Sequence, residues 1–582
     1  MAKYSYIELD IKAGKLTGVD KLNNNKKSAL ENNNAIYIYR GRKSGKVYIG
    51  QTKHFIRRHQ EHFSGNEEKF NNASFDKVVI LFSVYFNGSA LDDVERQLIT
   101  YFVADKFKPR SRKQDVTFDT EVINLTAGNT VNDYRDRDRV SSEVVLPFWE
   151  NYLYPEWVHT KKLDELRTSA LVKYSPIKTL TEQQQEVIED VLKNHDRSYV
   201  INGDAGTGKT VLLTYLVAEL LNETNRSIAI VVQPNWLKTA EEIFKLYGMD
   251  EKRLTITTST RLIKQNESYD VIIVDEAHKL SRRYGKQHPS FNEVYKASQF
   301  SNYNSHLEII KTLGRQVVLM YDVLQAIRPA NVTRERFREL TANFEQRYLT
   351  TQFRIKTPDG KKYTSDDYIN GIKWLLYKDT DLLELTNFNP QFDRDIFNDK
   401  SEDAYFGYFS DKPLHNLFNW IEEDRNYNPN HINRVLGGLV EPWLQKDGKD
   451  PKKMHWFEGE MQKRWNSTQE NWINSTDADS EDQIGSVFAV QGIDLNKVGV
   501  LIGNDLKVDN TGKLYADPEN FFNVNGKFSE EDLKDPQNRK EFTLFVLNIY
   551  YVLLTRGIDG IRVGFWKNRE FEKYMKDTLG II

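Results

Sequence analysis

The sequence predicts an α/β protein: a small α/β unit followed by two lobes built on parallel sheets. Three observations carry that prediction. From about residue 176 onward, short apolar runs alternate with longer helical patterns. Two of those runs, Tyr199-Val200-Ile201 and Val271-Ile272-Ile273-Val274, are apolar throughout, as strands buried on both faces are. Ahead of them, residues 35–130 hold three strand candidates and two helix candidates in one short stretch.

Taken in order, residues 1–34 read as an N-terminal leader with one strand candidate, Tyr6 to Ile11, and an Asn/Lys-rich loop. The unit at 35–130 has strand candidates Ile36–Tyr39, Val47–Ile49 and Val78–Phe86, with helices expected near 54–63 and 90–105. Residues 131–175, with the alternating charges of Tyr134 to Arg139, read as a linker of some helical content. The first lobe is expected over 176–340 and the second, with insertions, over 341–582. A chain of 582 residues has room for roughly three to four domains.

Composition excludes several classes. There is no cysteine, so disulfides and cysteine-ligated metals are excluded, and a reducing cytoplasm is the expected location. No stretch reaches the roughly 18 apolar residues of a membrane span, and the N-terminus lacks an apolar signal core. Net charge is −3, so a nucleic-acid partner has to be argued locally. From Arg40 to His62 there are seven Arg/Lys against one acid, Glu61. That segment suits a phosphate backbone.

The sharpest motif is Gly203-Asp204-Ala205-Gly206-Thr207-Gly208-Lys209-Thr210, set between a strand and a helix candidate. That order wraps backbone N–H groups and a helix N-terminus around a polyphosphate. Gly203, Gly206 and Gly208 shape the loop, Lys209 would reach the β/γ-phosphates and Thr210 would hold Mg²⁺. The expected ligand is ATP. About 65 residues further on, Val271–Val274 runs into Asp275-Glu276-Ala277-His278. Asp275 would hold the Mg²⁺ shell opposite Thr210, and Glu276 would polarise the attacking water. Another strand candidate ends at Asp322, with Gln325 three residues on, a pair suited to sensing the γ-phosphate.

Near the N-terminus, Ala35-Ile36-Tyr37 and Tyr48-Ile49-Gly50 are followed by Arg58 and His62 on one helical face, then Glu95 and Asn124. This ordered set resembles the GIY-YIG nuclease family, with Ala35 where the family has glycine. The resemblance implies phosphodiester hydrolysis. It makes Glu95 the ligand of one divalent cation, Arg58 a phosphate stabiliser and Tyr37 the general base. Tyr48 and His62 would orient water and phosphate, with Asn124 a supporting hydrogen bonder.

Downstream, Thr181 to Gln184 resembles the adenine-reading motif of superfamily 1 helicases, with Gln184 reading the base. Gln352-Phe353-Arg354, Val490 to Asp494 and Leu553 to Gly557 resemble that superfamily's later motifs, which makes Arg354 and Arg556 arginine fingers from a second RecA-like lobe. Leu436-Gly437-Gly438, Trp465-Asn466 and Val498 to Gly503 narrow the likeness to the Schlafen-type P-loop ATPase/helicase family. Between them lies a tryptophan-rich stretch with Trp443, Trp456, Trp465 and Trp472. It reads as core packing ahead of a platform for single-stranded bases.

Together these resemblances imply an ATP-dependent helicase or translocase fused to a metal-dependent endonuclease. The expected partner is nucleic acid, DNA ahead of RNA, with prokaryotic antiphage defence or restriction as the role. A nucleotide-operated switch that gates the nuclease without translocating, or a repair enzyme, are the alternatives. A second copy of the chain or a defence-system partner stays open. No membrane partner is expected.

Overall fold

The structure, a computed structural model, describes residues 3–582 apart from 65–69, 71–73, 108–120, 123–135, 164–165, 167–179, 205, 235, 247–248, 250–251, 286, 352–354, 359, 429–430, 469–471, 473–479, 491–494 and 524–525. The chain forms two compact units. The first comprises Met1–Lys193, Thr210–Asn225 and Lys238–Lys252; the second comprises Asn194–Lys209, Arg226–Leu237 and Arg253–Ile582.

The first unit is organised by a six-stranded sheet. Its strands are β1 (Tyr4–Lys12), β2 (Lys15–Thr17), β3 (Ala35–Gly41), β4 (Lys46–Thr52), β5 (Lys77–Ser83) and β6 (Glu121–Val122), in the order β2-β1-β5-β3-β4-β6. β3 lies between two antiparallel neighbours, pairing Tyr37 with Gly50 of β4 and with Ile80 of β5. Helices Phe55–His62 and Gly88–Phe107 follow β4 and β5.

Residues 1–34, separated from the sequence as a leader, join this same sheet. β1 pairs antiparallel with β5 from Tyr4↔Ser83 to Asp10↔Lys77. Its alternation explains why: Ile7, Leu9 and Ile11 are buried while their neighbours face outward. The stretch read as a linker also carries buried weight. Val144, Phe148, Trp149, Leu153 and Trp157 are fully buried. The Asp105 carboxylate accepts the backbone N–H groups of His159 and Thr160, both at 2.7 Å.

The second unit contains two parallel sheets. The first has the order β12-β7-β11-β10-β8-β9, from β7 (Tyr199–Gly203), β8 (Ile228–Val231), β9 (Leu254–Thr257), β10 (Tyr269–Val274), β11 (Gly314–Tyr321) and β12 (Glu345–Leu349). The second has the order β13-β21-β18-β14-β17, from β13 (Phe406–Phe409), β14 (Arg434–Gly437), β17 (Ile484–Gly485), β18 (Leu495–Ile502) and β21 (Gly557–Phe565). Two antiparallel hairpins, β15 (Trp456–Glu458) with β16 (Met461–Lys463) and β19 (Leu506–Val508) with β20 (Leu514–Ala516), decorate it.

One hydrophobic core runs through both sheets, from Val274 and Leu319 to Tyr368, Val500 and Leu553. The tryptophans follow the packing reading. Trp456 meets Trp465 and Trp566 edge-on at 4.8 and 5.1 Å, and Trp456, Trp465 and Trp472 are buried.

A buried polar knot closes the far end of the second sheet. The Tyr550 hydroxyl donates to Asp505 and accepts the Gly503 N–H at 3.0 Å, while the Asn568 amide donates to the Gly503 and Leu506 carbonyls. Burial pushes the Asp505 carboxyl up to about 7 even with Tyr550 donating to it. Tyr550→Phe strips one donor from Asp505 and one acceptor from Gly503. It should lower stability by about 1–3 kcal/mol, read as a lower melting temperature. A variant that melts with wild type would contradict this account of the knot.

Candidate functional sites

In the first unit the antiparallel register of β3 and β4 gathers the tyrosines. Tyr37 and Tyr48 stack at 6.2 Å, and Tyr37 lies opposite Gly50. That glycine has a direct reason. A Cβ there would come within 2.5 Å of the Tyr37 ring and hydroxyl, and Tyr37 is only 1% exposed, so the ring has nowhere to go. Ala35 is fully buried within β3, opposite Thr52, so the departure from glycine is absorbed inside the strand.

The Tyr37 hydroxyl shares a hydrogen bond with Nε2 of His62 at 2.8 Å and a second contact with the Arg58 guanidinium. His62 is fully buried and stacked on Phe70 with ring centroids 4.0 Å apart. Helix Phe55–His62 thus sends Arg58 and His62 to the same phenol. Burial drives the Tyr37 hydroxyl well above the ordinary tyrosine range, and the neighbouring Tyr48 adds to that. Arg58 pulls the other way, and Glu95 raises it again. Glu95, on helix Gly88–Phe107, is pushed up to about 7 by burial, relieved in part by a hydrogen bond with Gln51 and raised further by nearby Asp92. Tyr37, Tyr48, Arg58, His62 and Glu95 therefore converge.

A half-buried carboxylate that burial makes reluctant to ionise is a hard oxygen donor that a divalent cation would compensate, so Glu95 fits a metal ligand. Asn124 lies outside the described residues. Gln51 and Phe70 were missed from the sequence. Gln51 directly follows the second tripeptide, while Phe70 is a lone aromatic in a polar stretch and offered no signal.

In the second unit, parallel register sets the phosphate loop beside its partners. β7 pairs with β11 from Tyr199↔Val318 to Asn202↔Tyr321, and β11 pairs with β10 through Val274↔Leu319. Gly203, Asp275 and Asp322 consequently leave their strands along one sheet edge. Gly206 and Gly208 adopt φ of 90° and 81°, conformations that glycine takes without strain. Lys209 is nearly buried; its ammonium donates to the carbonyls of Gly203 and Asp204 and lies 3.6 Å from an Asp322 carboxylate oxygen. Helix Lys209–Glu223 starts at that lysine and includes Thr210 in its first turn.

Asp275 is buried, with its carboxyl pushed up to about 7 by desolvation and by Glu276 beside it; Lys279 and Lys209 oppose that. Glu276 sits at φ 51° and lies 2.8 Å from His278 Nε2. Burial would raise its pKa, but Lys279 and His278 outweigh burial and hold it well below the ordinary range. Glu276 is thus the ionised member of the pair. Asp322 accepts from the Gln325 amide at 2.7 Å and caps the turn that follows through the Leu324 N–H at 3.0 Å. Arg556 is buried, donates to the Val552 carbonyl at 3.3 Å and is close enough to depress Lys279 electrostatically.

A lysine, two acids and a glycine loop on one edge fit a nucleoside triphosphate with its metal. Gln184 belongs to the first unit, where it completes a helix cap. Its side-chain oxygen accepts the Thr181 N–H at 3.0 Å, and its own N–H reaches the Thr181 hydroxyl at 3.2 Å. Arg354 lies outside the described residues. Among the described residues, no helix is long and apolar enough to cross a membrane.

Comparison with known proteins bears on both sites. The GIY-YIG catalytic domain matches residues 33–108, and the Schlafen group 3, DNA/RNA helicase domain matches residues 196–567. An uncharacterized protein of Saccharomyces cerevisiae is 26% identical over 455 residues, covering 68% of this chain and 90% of its own. Among solved structures, the Pyrococcus furiosus Hef helicase domain aligns at 10% identity over 67% of this chain and 96% of its own, with a TM-score of 0.29. Bacteroides sp Pif1 in complex with ADP-AlF4 aligns at 14% identity over 69% of this chain and 96% of its own, with a TM-score of 0.26.

The tight fit of Gly50 against Tyr37 gives a direct test. Gly50→Ala displaces the phenol, and a displacement of that order costs about 10²-fold in nucleic-acid cleavage. Cleavage by Gly50→Ala at the wild-type rate would remove Tyr37 placement from the account.

Proposed function

The chain belongs to the Schlafen group 3 DNA/RNA helicase family over residues 196–567 and carries a GIY-YIG catalytic domain at 33–108; from that premise we propose that it is an ATP-dependent helicase or translocase whose N-terminal domain cuts nucleic acid, DNA ahead of RNA. Both domains are of enzyme families. The observation that carries the reading is the convergence of Tyr37, His62 and Arg58 on one hydroxyl, beside Glu95.

In the nuclease domain, Tyr37 takes a proton from the attacking water as its own hydroxyl proton passes to Nε2 of His62, 2.8 Å away. The partly exposed Arg58 guanidinium faces the phosphate and stabilises its developing charge. Tyr48 and Phe70 fix the His62 ring. Mg²⁺, held by Glu95 in this domain and by Thr210 and Asp275 in the ATPase, would supply charge stabilisation at the phosphates. In the ATPase, ionised Glu276 orients the attacking water, and Asp322 with Gln325 reads the γ-phosphate. Lys209 holds the phosphates, and Arg354 and Arg556 act as fingers. The cytoplasm is the proposed location, and antiphage defence or restriction the proposed role, drawn from the pairing of a nuclease with a motor.

One observation favours the second reading, a nucleotide-operated switch that gates the nuclease without stepping along a strand. The two parallel sheets share one hydrophobic core, and the Asn548 amide donates to the Val323 and Ala326 carbonyls beside the sensor turn while Tyr377 donates to Asn548 at 2.8 Å. Lobes joined this way resist wide separation.

The experiment is Mg²⁺-dependent plasmid cleavage with and without ATP by wild type, Glu95→Ala and Lys209→Ala. The fusion reading expects cleavage to fall about 10²-fold or more in Glu95→Ala and to lose its ATP dependence in Lys209→Ala. Full cleavage by Glu95→Ala would overturn the nuclease assignment. Cleavage untouched by Lys209→Ala would favour separable activities.

A further inference from the structure

Lys373 is a charge in an apolar place. It lies on helix Ser365–Tyr377 among buried Ile369, Ile372, Leu375 and Leu376, and its side chain is 1% exposed. Its ammonium donates to the carbonyl of Asn387 and to a carboxylate oxygen of Asp204. Asp204 is the second residue of the phosphate loop, 169 positions away in sequence. A buried lysine is retained only when paired, and the partner here belongs to the nucleotide site itself.

The surrounding charges show what the pair does. Asp204 feels Asp322 as a neighbouring acid and has two cations near it, Lys373 and Lys209. Lys209 touches the Asp204 backbone carbonyl at 2.9 Å, while the carboxylate goes to Lys373. Without Lys373, the Asp204 carboxylate is left buried beside Asp322, and Lys209 is the next cation available to it. The lysine needed for phosphate would then serve as a counter-ion for its own loop.

We propose that Lys373 is a positioning residue for nucleotide binding: by neutralising Asp204 it keeps Lys209 from becoming that carboxylate's counter-ion and leaves the Lys209 ammonium to phosphate. The proposal rests on the nucleotide-binding reading of the loop. It also makes nucleotide affinity depend on a helix outside the loop's own sheet, so displacement of that helix weakens nucleotide binding. The effect is electrostatic, and removing both charges of the pair relieves it.

The test is direct titration of a fluorescent, non-hydrolysable ATP analogue with Mg²⁺ into wild type, K373M, K373R, D204N and the double variant K373M/D204N, with a thermal melt of each. K373M is expected to weaken binding about tenfold or more, because it leaves a buried carboxylate unpaired. K373M/D204N should recover to within about threefold of wild type, and K373R should fall between. A purely structural lysine would not be rescued at the level of nucleotide affinity by removing Asp204. If K373M binds as wild type does, or the double variant binds no better than K373M, the proposal is overturned. A wild type that binds no nucleotide overturns the reading of the loop and the proposal with it. Where K373M fails to fold, K373M/D204N carries the test: folding with near-wild-type affinity is expected, and folding with about tenfold weaker affinity overturns it.

Discussion

Parallel strand register is the constraint on which the ATPase half depends. Adjacent parallel strands all end on the same side, so residues that follow them emerge together without any contact between their side chains having to arrange it. With Asn202 level with Tyr321 and Val274 level with Leu319, the loop at Gly203 and the acids Asp275 and Asp322 share one edge. A one-residue slip in either pairing would separate them. The cost of this arrangement is a crowd of acids in a nearly dry place, and the structure answers it with buried cations. Lys209 lies beside Asp322, Lys279 holds Glu276 ionised, and Lys373 answers Asp204. Asp275 and Glu276 are consequently driven apart in acidity, one up to about 7 and the other well below its ordinary range. Neighbouring acids split in this way can take different roles, one beside a metal and one beside water.

The nuclease half solves a similar problem with an antiparallel pair. Tyr37 lies across from Gly50, the missing side chain makes room for the phenol, and the next helix delivers Arg58 and His62 to its hydroxyl. Burial alone would make Tyr37 a poor proton acceptor. In the proposed mechanism the hydrogen bond to His62 would supply a route by which its proton can leave, so that the constellation would act as a relay with no single residue carrying the step.

Much of this was legible in the sequence, for reasons that differ by site. The phosphate loop and the Asp275-Glu276 pair are contiguous and set by backbone geometry, so their motifs carry their structure. Tyr37, Tyr48, Arg58 and His62 fall within 26 residues; the resemblance to the GIY-YIG motif order marks the set, and helical spacing puts Arg58 and His62 on one face. Lys373 was not legible as a site residue, since its partner is 169 positions away, although a lone lysine in an apolar helix was a signal. The tryptophans were ambiguous because an indole serves a core or a stacking platform equally well; Trp456 and Trp465 turn inward. The strand at Tyr4–Lys12 showed its period of two, but nothing local revealed that its partner would be β5.

The most direct measurement is ATP turnover by the purified chain in Mg²⁺, comparing wild type with Glu276→Gln at equal nucleotide occupancy. An ionised Glu276 that orients water predicts measurable turnover by wild type and a loss of about 10²-fold or more in the variant, with nucleotide still bound. Equal turnover by both proteins, or no turnover by wild type with nucleotide bound, would contradict the account.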